Sequence, residues 1–267
     1  MTTHRGLLWL SLALLAPAGA SRAQDAALCS DRPGKATPAC VLEAGGVQIE
    51  TSLADWSRER SEGERTDTLL LADSLMKFGL GGDTELQVSF TPYQQERITG
   101  DAGRMTDRGI GDAGLAVRHL LVDGGGEAPS FALQPFVTLP VGAAAVSDGT
   151  WSAGLIAPLD LPLGGEWQFN ISPQLAAQAD EDGDGRHLLY GGTAELQRSL
   201  GRTLTASAEL FAERDDDPLE PTTAVTADAT LAWQPSPSTQ IDVASYVGLS
   251  HDAPAIQLIL GFTRRLQ

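Results

Sequence analysis

Acidic side chains placed at alternate positions are the groups in this sequence most able to do chemistry. Glu50, Glu85, Asp112, Asp160, Glu195, Glu209, Asp228 and Asp242 fall on the polar face of alternating stretches, together with one base, Arg118. Eight carboxylates around one guanidinium would favour cations strongly if the interior they face were wet. Paired with Arg118, Lys77 or Arg198, the same groups would instead brace a small, filled interior. Both readings stay open on sequence alone.

A second cluster lies in a loop. Asp180-Glu181-Asp182-Gly183-Asp184-Gly185 opens like a calcium-binding loop, which makes Asp180, Asp182 and Asp184 candidate metal ligands. The twelfth position, which should supply a bidentate Glu, is Gly191, so only weak cation attraction is expected. The acids at 215–217 and Glu220 read as a solvated loop. His187 near Asp184, and His251 beside Asp252, could activate water at a rim. No serine nucleophile motif stands near either, and adjacent residues on a strand point to opposite faces. An enzyme is therefore not expected, and neither is a cofactor. Cys29 and Cys40 are the only cysteines. In an oxidising compartment they would form a disulfide around a small loop, worth roughly 2–3 kcal/mol, and without a nearby His they make a poor zinc site.

These residues must be positioned by strands. From Gly45 onward the chain repeats an alternating stretch followed by a turn. In the run 167–178, Trp167, Phe169, Ile171 and Leu175 alternate with Gln168, Asn170, Ser172 and Gln174. A period of two gives a strand one polar and one apolar face. Twelve such stretches occur, at about 46–58, 66–79, 83–97, 109–122, 129–142, 150–163, 166–179, 187–199, 202–213, 222–234, 239–249 and 254–265. That is roughly 18 residues per strand and connection, enough for the 9–11 that a tilted membrane strand needs. An even count suits a bacterial barrel. The connections alternate in kind. Short Gly- or Pro-rich turns near 80–82, 163–165, 200–201 and 235–237 face longer polar loops at 58–66, 96–108, 142–149, 179–186, 213–221 and 250–254. Short turns on one side and long loops on the other are the outer-membrane pattern, which predicts an all-β, antiparallel, up-and-down transmembrane barrel of about 12 strands. A soluble β-sandwich or lipocalin-like barrel would turn the polar face outward instead.

Composition narrows the function further. The 267 residues carry a net charge of −17, which excludes nucleic acid as partner because phosphate binding needs clustered bases. No apolar run beyond the N-terminus is long enough for a spanning helix. The N-terminus itself has a modest basic start, a short apolar run and small residues at 18–23, which reads as a cleaved signal peptide over 1–23. An N-terminal periplasmic or plug segment is expected over 24–44 and the barrel over 45–267, in the cell outer membrane.

Two places carry a family resemblance. Asp31-Arg32-Pro33-Gly34, followed by Gly45-Gly46-Val47-Gln48-Ile49-Glu50, resembles the opening of the outer-membrane "transporter" or "putative MetA-pathway of phenol degradation" family. Gly109-Ile110-Gly111-Asp112 with Leu115 and Arg118, and the Gly-rich turn leading to Glu85, are similar to the same family's strands. The resemblance implies a barrel linked to uptake of small hydrophobic or aromatic compounds. The expected function is to pass or bind such a solute; a non-transporting structural or surface-binding barrel is the alternative, and a rim hydrolase a lesser one. Expected partners are outer-membrane lipid, lipopolysaccharide, the barrel-assembly machinery and the small-molecule solute.

Overall fold

The computed structural model describes residues 28–61, 63–147 and 149–266. The expected leader lies outside them, as do residues 24–27 of the segment that follows it. Sixteen β-segments, β1 (Val47–Ser61) to β16 (Ile256–Arg265), form one antiparallel sheet that closes where β16 pairs with β1. Four staves are interrupted and count as two segments each: β2 (Glu64–Leu71) with β3 (Asp73–Gly79), β4 (Thr84–Phe90) with β5 (Tyr93–Gly100), β6 (Gly103–Gly109) with β7 (Ala113–Val122), and β9 (Ser152–Ile156) with β10 (Leu159–Gly164). The other staves are β8 (Ser130–Leu139), β11 (Trp167–Ala179), β12 (Arg186–Leu200), β13 (Leu204–Asp215), β14 (Thr222–Ser236) and β15 (Thr239–Gly248). The barrel therefore has twelve staves. At the β2/β3 break Ala72 takes φ 55°, a left-handed conformation that a non-glycine residue adopts where the ladder must bulge.

Burial runs opposite to that of a water-soluble fold. Leu115, Val117, Ile171, Leu175, Leu210, Val243, Leu258 and Leu260 are exposed on the outside, while Gln48, Glu50, Lys77, Glu85, Arg118 and Asp242 are buried within. Apolar side chains outward and polar ones inward is the arrangement that hydrocarbon demands. It removes the sandwich and lipocalin-like alternatives. Exposed tryptophans stand toward both ends of the apolar band. Arg186 stacks on Trp151 at 3.5 Å toward the long-loop end and Arg198 on Trp167 at 5.0 Å toward the short-turn end. Tryptophan and arginine share a liking for the headgroup boundary, where an apolar body and a polar tip are both satisfied.

Two expected loops are not loops. At 58–66 and 96–108 the ladder continues to the pairs Ser61↔Glu64 and Gly100↔Gly103, leaving tight turns. There β1, β2, β5 and β6 rise beyond the apolar band as a ribbon. Water bathes both faces of such a ribbon, so most of its residues are polar and the alternation that marks a strand fades from the sequence.

By the usual asymmetry of outer-membrane barrels, the long loops are expected outside the cell. In a Cys29→Ser/Cys40→Ser background, Gly183→Cys should label with an impermeant maleimide on whole cells and Ser236→Cys should not. Labelling of position 236 alone would reverse the orientation.

Candidate functional site

Cross-strand register lines up the inward carboxylates. Asp160 lies opposite Asn170, Asn170 opposite Glu195, Glu195 opposite Glu209, Glu209 opposite Asp228, and Asp228 opposite Tyr246. Three acids directly abreast repel one another, which costs stability unless cations or donors come between them. Residues 28–44 supply both. This irregular segment, closed by the Cys29–Cys40 disulfide, threads among the inward side chains.

Six of the inward acids each meet a particular group of the segment. Glu50 accepts from the Asp31 amide at 2.9 Å and the Ser30 hydroxyl at 3.0 Å. Glu85 accepts from the Leu42 amide at 2.9 Å, Asp160 from Ala39 at 2.9 Å, and Glu209 from Lys35 at 2.8 Å. Asp242 pairs with Arg32 at 3.1 Å and Asp228 with Lys35 Nζ at 3.8 Å. That ammonium also sits over the rings of Phe211 and Tyr246, at 4.4 and 4.6 Å, and receives a further share of charge stabilisation there. Neutral side chains complete the cradle: Asn170 donates to the Thr37 carbonyl, Ser172 accepts from the Thr37 amide, and Tyr246 donates to the Pro33 carbonyl.

On the opposite wall two bases carry the pairing. Arg118 is fully buried and bonds to Asp31, to Glu85 at 3.4 Å, to Gln134 at 2.6 Å and to the Cys40 carbonyl at 3.2 Å. Lys77, also fully buried, reaches Asp31 at 3.1 Å, Glu50 and Glu85 at 3.5 Å each, and donates to the Cys29 carbonyl at 2.6 Å. Buried charges persist only when paired and hydrogen-bonded, and this network meets both conditions. Beside it, a cavity of about 240 Å³ separates the segment from the wall, lined by Asp31, Leu75, Gln87, Gln134 and Phe136.

Not every candidate joins this network. Asp112 stands before β7 and accepts from the Gly142 amide and the Ser147 hydroxyl, so it braces a long loop. Glu195 is part-buried and lines a cavity of about 140 Å³ between the segment and β10 to β15. Arg198 leans on Trp167 rather than on a carboxylate. Of the three loop acids proposed as metal ligands, Asp180 turns toward His187 at 3.0 Å, while Asp182 and Asp184 are exposed. His187 sits among Asp180, Asp215 and Asp217, not beside Asp184, and His251 meets Asp252 at 3.3 Å in the open.

The sequence reading passed over Arg32, Lys35, Gln134 and Tyr246. Arg32 and Lys35 carried a signal: they are cations in a segment leading into a barrel with surplus inward acids.

Comparison with known proteins gives the family. The family model described as "Putative MetA-pathway of phenol degradation" matches residues 30–266. No curated protein sequence matches the chain. Among solved structures, an outer membrane channel from Pseudomonas putida F1 is similar with TM-score 0.68 at 15% identity, over 88% of this chain and 99% of that one. The translocator domain of an autotransporter from Neisseria meningitidis is similar with TM-score 0.51 at 14% identity, over 84% and 90%. At such identities the likeness speaks for the fold. The family match covers both the barrel staves and most of the threading segment, and so this chain, built as an outer-membrane β-barrel, belongs to the "Putative MetA-pathway of phenol degradation" family.

Proposed function

We propose that the protein is an outer-membrane channel for small hydrophobic or aromatic solutes, held closed at rest by residues 28–44. The observation that carries this reading is the match between inward acids and the segment's amides and cations. A wall built only for strength could pair its charges across neighbouring staves, as Glu85 and Arg118 do. Here Glu50, Asp160, Glu209 and Asp242 reach groups of a separate, irregular segment that leaves about 240 Å³ beside it. The mixed lining, with Leu75 and Phe136 beside Gln87 and Gln134, suits a ring that bears a polar group. The family's link to phenol degradation points the same way.

Passage then requires the segment to shift, and the disulfide limits how far it can. Liposomes containing the protein should take up phenol faster than empty liposomes, and faster still with Cys29→Ser/Cys40→Ser. Uptake equal to that of empty liposomes for both forms would overturn the channel reading. The barrel-assembly machinery and lipopolysaccharide are proposed as its partners in the membrane. Hydrolysis is not part of the proposal.

A further inference from the structure

At the long-loop mouth, away from the threading segment, one imidazole is enclosed by carboxylates. His187 is the second residue of β12; its side chain is 6% exposed. Nδ1 lies 3.0 Å from Asp180 Oδ1 and 3.4 Å from Asp217 Oδ2, and Nε2 lies 2.6 Å from Asp215 Oδ1. The donor atoms of Asp180, His187 and Asp217 all fall within 4.8 Å of one another. They front a recess of about 590 Å³ whose charged lining is otherwise Glu181, Asp182 and Glu220, with no Lys or Arg among its lining residues.

One hydrogen bond, between Nδ1 and Asp180 Oδ1 at 3.0 Å, accounts for only part of this packing. Nδ1 can hold one proton, yet two carboxylate oxygens approach it. On the other side of the ring, Asp215 lies close to Nε2 but no aligned hydrogen bond satisfies that nitrogen. On the Nδ1 side, a cation would account for the convergence of three ligand atoms, one each from Asp180, His187 and Asp217. With bonds of about 2.1 Å, an ion sets its ligand atoms roughly 3.0 Å apart at right angles and roughly 3.4 Å apart at tetrahedral angles. Those are the two separations found around Nδ1.

The carboxylate of Asp217 is also held in place for ligation. Its Oδ2 accepts from the Glu181 amide at 2.8 Å, and its Oδ1 from the amides of Leu219 at 2.7 Å and Glu220 at 3.2 Å. The Leu219 amide above all, with those of Glu181 and Glu220, holds its carboxyl below the usual range, so it stays ionised in mildly acid water. Behind the ring, Asp215 Oδ1 stands 2.6 Å from Nε2, on the side from which an outer carboxylate commonly approaches a metal-bound imidazole.

We infer that His187 Nδ1, Asp180 and Asp217 bind a divalent first-row transition-metal ion, with zinc the best match to one nitrogen and two oxygen donors. Calcium and magnesium prefer all-oxygen sets, which this cluster does not present. The calcium-loop pattern at 180–185 thus contributes a single ligand, Asp180, and its partners come from β12 and from the loop between β13 and β14. An ion there ties two long loops together at the outer mouth.

The test is metal titration of the folded protein in detergent after chelator treatment, with Zn²⁺ followed by calorimetry and Co²⁺ by visible absorption. One ion per chain is expected. His187→Asn and Asp217→Asn should each weaken binding by at least about tenfold, the loss that even outer partners of a ligand can produce. Asp182→Asn and His251→Asn should leave it unchanged, and they show that the loss is not a general effect of altering a loop. Binding to the parent protein no tighter than to His187→Asn would overturn the inference. So would displacement of Zn²⁺ by equimolar Ca²⁺, or a loss for Asp182→Asn as large as that for Asp217→Asn. The variants' folding is read separately, from heat-modifiable mobility on gels.

Discussion

Arg118→Leu lowers the stability of the barrel by about 3–5 kcal/mol, the cost of breaking a buried ion pair by removing one partner. Leucine fills part of the space but brings no charge and no donors. Asp31, Glu85, Gln134 and the Cys40 carbonyl would each lose a bond. Lys77 remains near Asp31 and Glu85, which keeps the loss from being larger. The sign is what makes the experiment decisive. The neighbouring positions 115 and 117 face outward, and a lipid-facing Arg at mid-bilayer would itself cost about 2–4 kcal/mol, so leucine there would stabilise. Urea unfolding in liposomes reads the two cases with opposite signs. A clear gain in stability for Arg118→Leu would put this residue on the wrong face. Arg118→Lys keeps the charge but loses the fork that serves four partners, and should fall between the parent and leucine.

A chain lacking residues 28–40 conducts several-fold more current in planar bilayers than the intact protein, and conducts it as cations. Two effects combine. The segment that crosses the lumen is gone, and with it go Arg32 and Lys35, the cations facing Asp242, Asp228 and Glu209. Seven inward acids, Glu50, Glu85, Asp160, Glu195, Glu209, Asp228 and Asp242, would then face water in excess over Arg118 and Lys77. A wet lumen with that excess attracts cations and repels anions, and reversal potentials in a salt gradient measure it. Conductance equal to that of the intact chain would mean that the segment does not close the path. Higher conductance without cation preference would mean that the freed acids collapse onto Arg118 and Lys77 instead of lining a pore.

How much of this was legible beforehand depends on what kind of constraint each part obeys. The staves were legible because hydrocarbon outside and polar groups inside force one face of every strand to be apolar, as in Trp167–Ala179, where the two faces alternate along most of the length. Beyond the bilayer that force ends. Gly103–Gly109 is strand but is polar and largely exposed, so nothing in its composition separates it from a loop; only its pairing with Tyr93–Gly100 does. The same parity marks acids for the inside, since a carboxylate on the lipid face would be expensive, but it ends with the staves: Asp112 stands before β7 and braces a loop instead.

Their partners obey no local rule. Lys35 meets Glu209 across 174 positions, Arg32 meets Asp242 across 210, and Ala39 meets Asp160 across 121. An irregular segment has no period to read, so its route through the barrel is fixed by which wall groups it satisfies and not by its own sequence. The outer-mouth cluster is similar: Asp180 and His187 are neighbours in sequence, but Asp217 arrives from a separate loop positioned by the β13–β14 pairing. The sequence by itself determined the barrel and its strand count, and set acids at alternate positions along its staves, because the bilayer imposes a two-residue period on every stave. Only the tertiary structure decided that those acids hold a threading segment rather than line open water, because that pairing is settled by groups brought together from opposite ends of the chain.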